Sequence, residues 1–197
     1  MVSTSNLNIL DLNDDCIEHI LCMCPMDDRV KVRLACCHFN DIFPFTFGHV
    51  KFLREVVADS SSHRSLAKFL IKYTGKYLQH TCMKLVEKNT AFVLPLIGLK
   101  CSRLTVLCLK NETTYSYKQV NHDKLMGEIF YNNRKLNRNF ISGFNLSGEC
   151  FGKLHSPEII KYLKIVNCHG LHSDLVKNFL VKIRQLEVFV NRRYSTM

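Results

Sequence analysis

From Leu7 to Phe43 the apolar positions recur at helical spacing. Ile17, Ile20, Leu21 and Cys24 fall three, four and seven residues apart and form one stripe of a helix. Asn13 or Asp14 is placed to cap it, and Asp14, Asp15 and Glu18 fill its first turn, where carboxylates suit the positive end of the helix dipole. Pro25 stops this helix. Asp27 or Asp28 caps a second one, with Val30, Leu34 and Cys37 on one face and Val32, Cys36 and Phe39 on another. Beyond it, the apolar run from Phe43 to Val57, beginning around Pro44, predicts a third helix.

Further along, a different pattern repeats. Leu104-x-x-Leu107-x-Leu109, Ile141-x-x-Phe144-x-Leu146, Ile160-x-x-Leu163-x-Ile165 and Ile183-x-x-Leu186-x-Val188 share one spacing, and Asn111, Cys150 and Cys168 lie at or near the turn-closing position that follows. Phe144 to Leu163 is 19 residues and Leu163 to Leu186 is 23. The four segments resemble leucine-rich repeats, in which a strand and a covering helix alternate and neighbours share one core. The 37 residues from Leu107 to Phe144 hold Leu125, Ile129, Phe130 and Leu136 at helical spacing, so one repeat carries a longer helix or a loop inserted around Thr113 to His122. Tyr77-Leu78 with Cys82 and Leu85 is a weaker opening repeat, and Leu171 to Lys182 reads as a covering helix. An α/β domain with an ordinary parallel sheet is the competing reading.

Composition and charge sharpen this picture. With 197 residues and 47% hydrophobic side chains, the chain is apolar enough to bury a core and too apolar for disorder. Residues 1–59 hold nine acids and five Lys/Arg, a net of −4, whereas residues 60–197 carry +14. The asymmetry places a boundary near residue 60, with Asp59-Ser60-Ser61-Ser62-His63-Arg64 as a soft joint. The longest apolar stretch, Ala91 to Leu99, is nine residues interrupted by Pro95 and Gly98, so no membrane span is expected. Asp11, Asp14 and Asp15 stand where a secretory signal needs basic and then apolar residues, so the expected location is cytoplasm or nucleus. There the ten cysteines are free, mostly small buried hydrophobes, and the triplets Asn111-Glu112-Thr113 and Asn145-Leu146-Ser147 stay unglycosylated.

In the N-terminal part, Leu10-Asp11-Leu12-Asn13-Asp14-Asp15-Cys16-Ile17, then Ile20-Leu21, Asp28 and Ala35-Cys36-Cys37-His38-Phe39 follow in an order that resembles the F-box. Asn13 stands where that family usually has Pro, Val30 and Val32 where Leu is commoner, and Ala35 in place of Val; each change keeps size or capping ability. The resemblance implies a non-catalytic docking module at residues 7–45, which binds a Skp adaptor and through it a cullin scaffold and RING subunit. The implied adaptor-binding residues are Leu10, Leu12, Ile17, Ile20, Leu21, Val32 and Phe39. The first five read as apolar anchors, partly exposed in the free chain, whose burial against a partner drives association. The other reading of the same residues is a private helical core.

Together the two resemblances imply an α/β chain: a three-helix F-box at 7–45, linking helices at 46–75, and a short leucine-rich-repeat solenoid of strand–helix units at 76–197. Such a chain is the substrate-recognition subunit of an SCF-type E3 ubiquitin ligase, holding a client protein for ubiquitination and proteasomal degradation. By strand alternation the client-binding face includes Val106, Lys110, Asn145, Tyr162, Lys164, Gln185 and Phe189, a set mixed in character. Lys118, Lys124, Arg134, Lys135, Arg138, Arg192 and Arg193 lie elsewhere and favour an acidic or phosphorylated client.

Other chemistry fits less well. Cys22-x-Cys24 with Cys36-Cys37-His38 matches no usual zinc spacing, so no metal and no cofactor are expected. Cys150 with His155, or Cys168 with His169, lacks a third catalytic member, and adjacent residues on a strand point to opposite faces. No phosphate-cradling glycine motif occurs. The chain is therefore expected to be no enzyme. The alternatives to a ligase subunit are a basic leucine-rich-repeat scaffold and a nucleic-acid-binding protein, the latter suggested by Tyr115, Tyr117, Phe130 and Tyr131 among Lys and Arg. Scattered rather than striped basic residues argue against nucleic acid.

Overall fold

The computed structural model describes residues 8–48, 50–58, 61–112 and 121–192. The chain divides into two compact units, Met1–His49 and Val50–Met197.

The first unit is helical: α1 (Asp14–Met23), α2 (Met26–Val32) and α3 (Cys37–Ile42), with short 3-10 turns at Ile9–Asp11 and Phe45–Phe47. Asn13 is the cap of α1, its Oδ1 accepting the Cys16 N–H at 2.9 Å. Ile17, Leu21 and Ile42 form a buried cluster, with Val32 and Phe39 packed against it. The second expected helix is thus two. Residues 33–35 turn, and Cys36 is extended at φ −158°, its thiol accepting the Phe39 N–H at 3.5 Å. This restart aims α3 so that Ile42 reaches the α1 stripe.

The third expected helix is not formed. After the 3-10 turn closes at Gly48, the chain runs into strand β1 (Phe52–Ala58), so the stretch 46–75 read as linking helices contains a strand and then α4 (Ser61–Thr74). A short apolar run does not by itself separate strand from helix, and here Pro44, Gly48 and the pair Val56-Val57 favour the extended choice. The joint expected at Asp59–Arg64 is largely the first turn of α4, Asp59 and Ser60 lying outside the described residues. The division between units falls at residue 49, not near 60.

The second unit is a mixed α/β region built on a six-stranded, wholly parallel sheet in the order β1-β2-β3-β4-β5-β6. The later strands are β2 (His80–Val86), β3 (Val106–Glu112), β4 (Arg138–Ser142), β5 (Tyr162–Val166) and β6 (Val188–Arg192). Between them lie α5 (Glu87–Lys100), α6 (Asp123–Asn132), 3-10 turns at Glu149–Lys153 and Pro157–Ile159, and α7 (Ser173–Leu180). Because parallel crossovers are right-handed, a sheet whose strands are added always on the same side gathers its helices on one face. Here α4 packs on α5, α5 on α6, α6 on the Glu149–Lys153 turn, and that turn on α7.

Register is unbroken from β2 to β6. His80, Val106, Arg138, Tyr162 and Val188 are paired in one row, and Thr81, Leu107, Asn139, Leu163 and Phe189 in the next. Burial alternates accordingly: Thr81, Met83 and Leu85 in β2 and Leu107 and Leu109 in β3 are buried, while the intervening residues are partly or fully exposed. Across the helix layer, Phe130 stacks on Phe151 and Phe151 on Phe179, with centroids 5.9 and 4.9 Å apart.

Two of the four sequence repeats are out of register with this ladder. Ile141 pairs with Leu109, the third apolar position of its segment, so the stretch of β4 in line with Leu104-x-x-Leu107-x-Leu109 is Leu136-x-x-Asn139-x-Ile141. In the same way Phe189 pairs with Leu163, so the stretch of β6 in line with Ile160-x-x-Leu163-x-Ile165 is Leu186-x-x-Phe189-x-Asn191. The loop expected around Thr113 to His122 lies mostly in residues 113–120, outside the described residues, as do Tyr115, Tyr117, Lys118 and Arg193.

Candidate adaptor-docking surface and open sheet face

On the helical unit, the stripe read from sequence divides between interior and surface. Ile17 and Leu21 are 0% and 4% exposed, whereas Leu10, Leu12 and Ile20 are 43%, 37% and 38% exposed. Ile17 and Leu21 are thus buried within the unit, with Val32 and Phe39 lying partly buried beside them. Leu10, Leu12 and Ile20, joined by Ile9, Met23 and Leu34, remain as apolar surface. The segment before α1 is held by a reciprocal cap: Asn8 Oδ1 accepts the Leu10 N–H at 3.1 Å, and Asp11 Oδ2 accepts the Asn8 N–H at 2.9 Å.

Sequence reasoning missed Arg29. Its Nε donates to the Cys24 carbonyl at 2.8 Å and its Nη1 to the Thr46 carbonyl at 3.1 Å, while Nη2 donates to the Cys22 carbonyl. One guanidinium thus satisfies carbonyls left without partners where α1 ends and ties them to the Phe45–Phe47 turn. The only trace of this in the sequence is a cation four residues after the helix-stopping Pro25.

Three of the five cysteines of this unit have local partners. Cys36 caps α3, Cys22 Sγ donates to the Thr46 carbonyl at 3.5 Å and Cys24 Sγ to the Ile20 carbonyl at 3.5 Å. Among the described residues, no three His, Cys, Asp or Glu side chains gather as metal ligands.

On the sheet, the face turned away from the helices carries Val106, Lys110, Tyr162 and Lys164, as expected from alternation. Asn145 is not on it: that residue follows β4 and makes an isolated bridge with His169. Gln185 lies in the bend before β6. Phe189 is the register partner of buried Leu163, not of an outward residue, and its side chain is outside the described residues. In place of these, the register brings Arg138 and Phe140 onto the open face. Lys164 Nζ stands 5.1 Å from the centroid of the Phe140 ring, and the Sγ atoms of Cys82 and Cys108 are 3.1 Å apart on neighbouring strands.

At the C-terminal ends of the strands lies a polar network. Asn111 Nδ2 donates to Glu87 Oε2 at 2.7 Å and to the Gly143 carbonyl at 3.0 Å, and His122 Nε2 lies 3.5 Å from Glu87 Oε1. Gly143 has φ +77°, and a side chain there would drive into the Asn111 carbonyl. Burial pushes the His122 pKa below its ordinary value, against the pull of Glu87. Burial also acts to raise the pKa of Asp123, but the N–H groups of Cys150 and Ser147, at 3.0 and 2.5 Å, outweigh it and hold the carboxyl below its usual range. Burial, followed by the nearby Asp123 carboxylate, raises the Cys150 thiol well above its ordinary value, and His155 is tilted against Tyr131 at 4.8 Å.

No helix among the described residues is long and apolar enough to cross a membrane. No curated protein matches the chain. Against known families, an F-box domain is detected at residues 9–44. The helical unit with its row of exposed aliphatic side chains is thus the F-box, and that domain marks the chain as a candidate adaptor-binding subunit.

Proposed function

We propose that this protein is the substrate-recognition subunit of an SCF-type E3 ubiquitin ligase, with the F-box docking a Skp adaptor and the parallel-sheet unit presenting a client for ubiquitination and degradation. The observation that carries the reading is the F-box match over 9–44 on a unit that leaves Leu10, Leu12 and Ile20 exposed. In this account those three are the contacts, while Ile17, Leu21, Val32 and Phe39 hold the helices that present them. The subunit itself catalyses nothing; it works in the cytoplasm or nucleus, where the adaptor, the cullin scaffold and the RING subunit meet it.

For the second unit the reading is a short leucine-rich-repeat solenoid. Supporting it, strands pair strictly in chain order, and paired positions recur after 26, 32, 24 and 26 residues from His80 onward, three of the four within the roughly 20 to 29 of this repeat class. The client then meets the open sheet face.

The test is adaptor binding by the full chain and by Leu12→Asp with Ile20→Asp. A charge placed in a desolvated apolar contact has no partner there, so the double variant loses at least about a hundredfold in affinity while its unfolding midpoint stays near that of the parent. Undiminished binding refutes docking through this row.

A further inference from the structure

The open face has a definite charge once the register is known. In its three rows, Lys84 and Lys110 are paired on adjacent strands, Arg138 and Lys164 lie diagonally across β4 and β5, and Arg192 occupies the end of β6. Among the described side chains of β2 to β5 these rows contain no Asp or Glu; Glu112 lies beyond them at the end of β3 and is ion-paired to Lys110 at 2.9 Å. Between the cations lie Phe140 and Tyr162. We infer that this face binds an acidic, extended peptide segment of the client, its carboxylates meeting Lys84, Lys110, Arg138 and Lys164 and an apolar side chain settling between Phe140 and Tyr162.

Three arguments favour a peptide of this kind. Lys84 and Arg138 are exposed and Lys164 is only partly buried, so the positive field reaches solvent and steers an anionic partner. Arg138 is paired with Tyr162 and Lys164 with Phe140, an arrangement that suits carboxylates separated by apolar residues. The Lys164 ammonium stands 5.1 Å from the Phe140 ring centroid, where it competes with a nucleic-acid base for the ring face. An extended peptide of about eight residues spans six strands set roughly 4.8 Å apart.

The inference rests on the client-presenting role proposed above, and its test separates the two. The full chain, with adaptor present and absent, is titrated with a fluorescent peptide of alternating Glu and Leu. The comparison ligands are its Gln counterpart and an oligothymidine of equal charge. The Glu peptide binds about tenfold or more tightly than the Gln peptide, and added salt weakens it. Arg138→Glu with Lys164→Glu removes that preference, whereas Lys124→Glu with Lys177→Glu, the same charge change on exposed positions of α6 and α7, leaves most of it. Bound peptide also slows alkylation of Cys82, read by mass spectrometry on the unmutated chain.

Equal binding of the Glu and Gln peptides, or equal loss in both variants, overturns the inference. So does tighter binding of the oligothymidine with displacement of the peptide, which makes the face a nucleic-acid site. Adaptor binding is read in the same samples. Its failure counts against the ligase role and leaves the charge preference to the peptides alone.

Discussion

Asn139 is a polar side chain on the buried face of the sheet. The residue occupies a core position of β4, paired with Leu107 and Leu163, and neither its Oδ1 nor its Nδ2 has a hydrogen-bond partner. A polar side chain at an apolar position hides the in-register stretch Leu136-x-x-Asn139-x-Ile141, and the pattern is met five residues later instead. Asn191, paired with Ile165, interrupts the pattern in β6, where the sequence match falls three residues early. Because a buried polar group without a partner costs about 1–3 kcal/mol, Asn139→Leu raises the unfolding midpoint; an unchanged or lower midpoint counts against that register. His122 supplies a second test at this scale. Its pKa is depressed in the fold, so the unfolded chain takes up the proton first, and stability is complete above the ordinary histidine value of 6.5. It is lost as pH falls from there through the folded pKa. Denaturant titrations at descending pH follow this loss, and His122→Gln flattens it.

Among the elements, those with a strong period or a chemical stop were legible. Asn13 caps α1, helix α1 ends just before Pro25, and α6 and α7 lie where the apolar spacing put them. What was not legible turns on interactions between distant segments. The run from Phe52 to Ala58 becomes a strand because β2 offers it a ladder, and α2 separates from α3 because Ile42 has to reach Ile17. Of the candidate docking residues, the aliphatic stripe was visible, but periodicity did not divide exposed Ile20 from buried Ile17 and Leu21. Arg29 was invisible for the same reason, since two of its three carbonyl partners end α1 and the third belongs to Thr46. Arg29→Met leaves those carbonyls unpaired and weakens the helical unit by about 2 kcal/mol. Hydrogen exchange reads this locally: amides at the end of α1 lose protection while those of β2 to β5 keep theirs.

Over the whole molecule, charge follows the two units. The acidic helical unit carries the apolar row, and the basic unit carries a sheet in which Arg138 and Lys164 stand among aromatic side chains. In the proposed role the first surface meets an adaptor and the second an acidic client. The central claim is that the F-box makes this chain a ligase subunit. Its most direct test is reconstitution of the purified full chain with a Skp adaptor and then with the cullin and RING subunits, followed by size-exclusion chromatography with light scattering. The account predicts a one-to-one complex with the adaptor that takes up the cullin scaffold intact. A folded chain that elutes apart from the adaptor at micromolar concentration contradicts it.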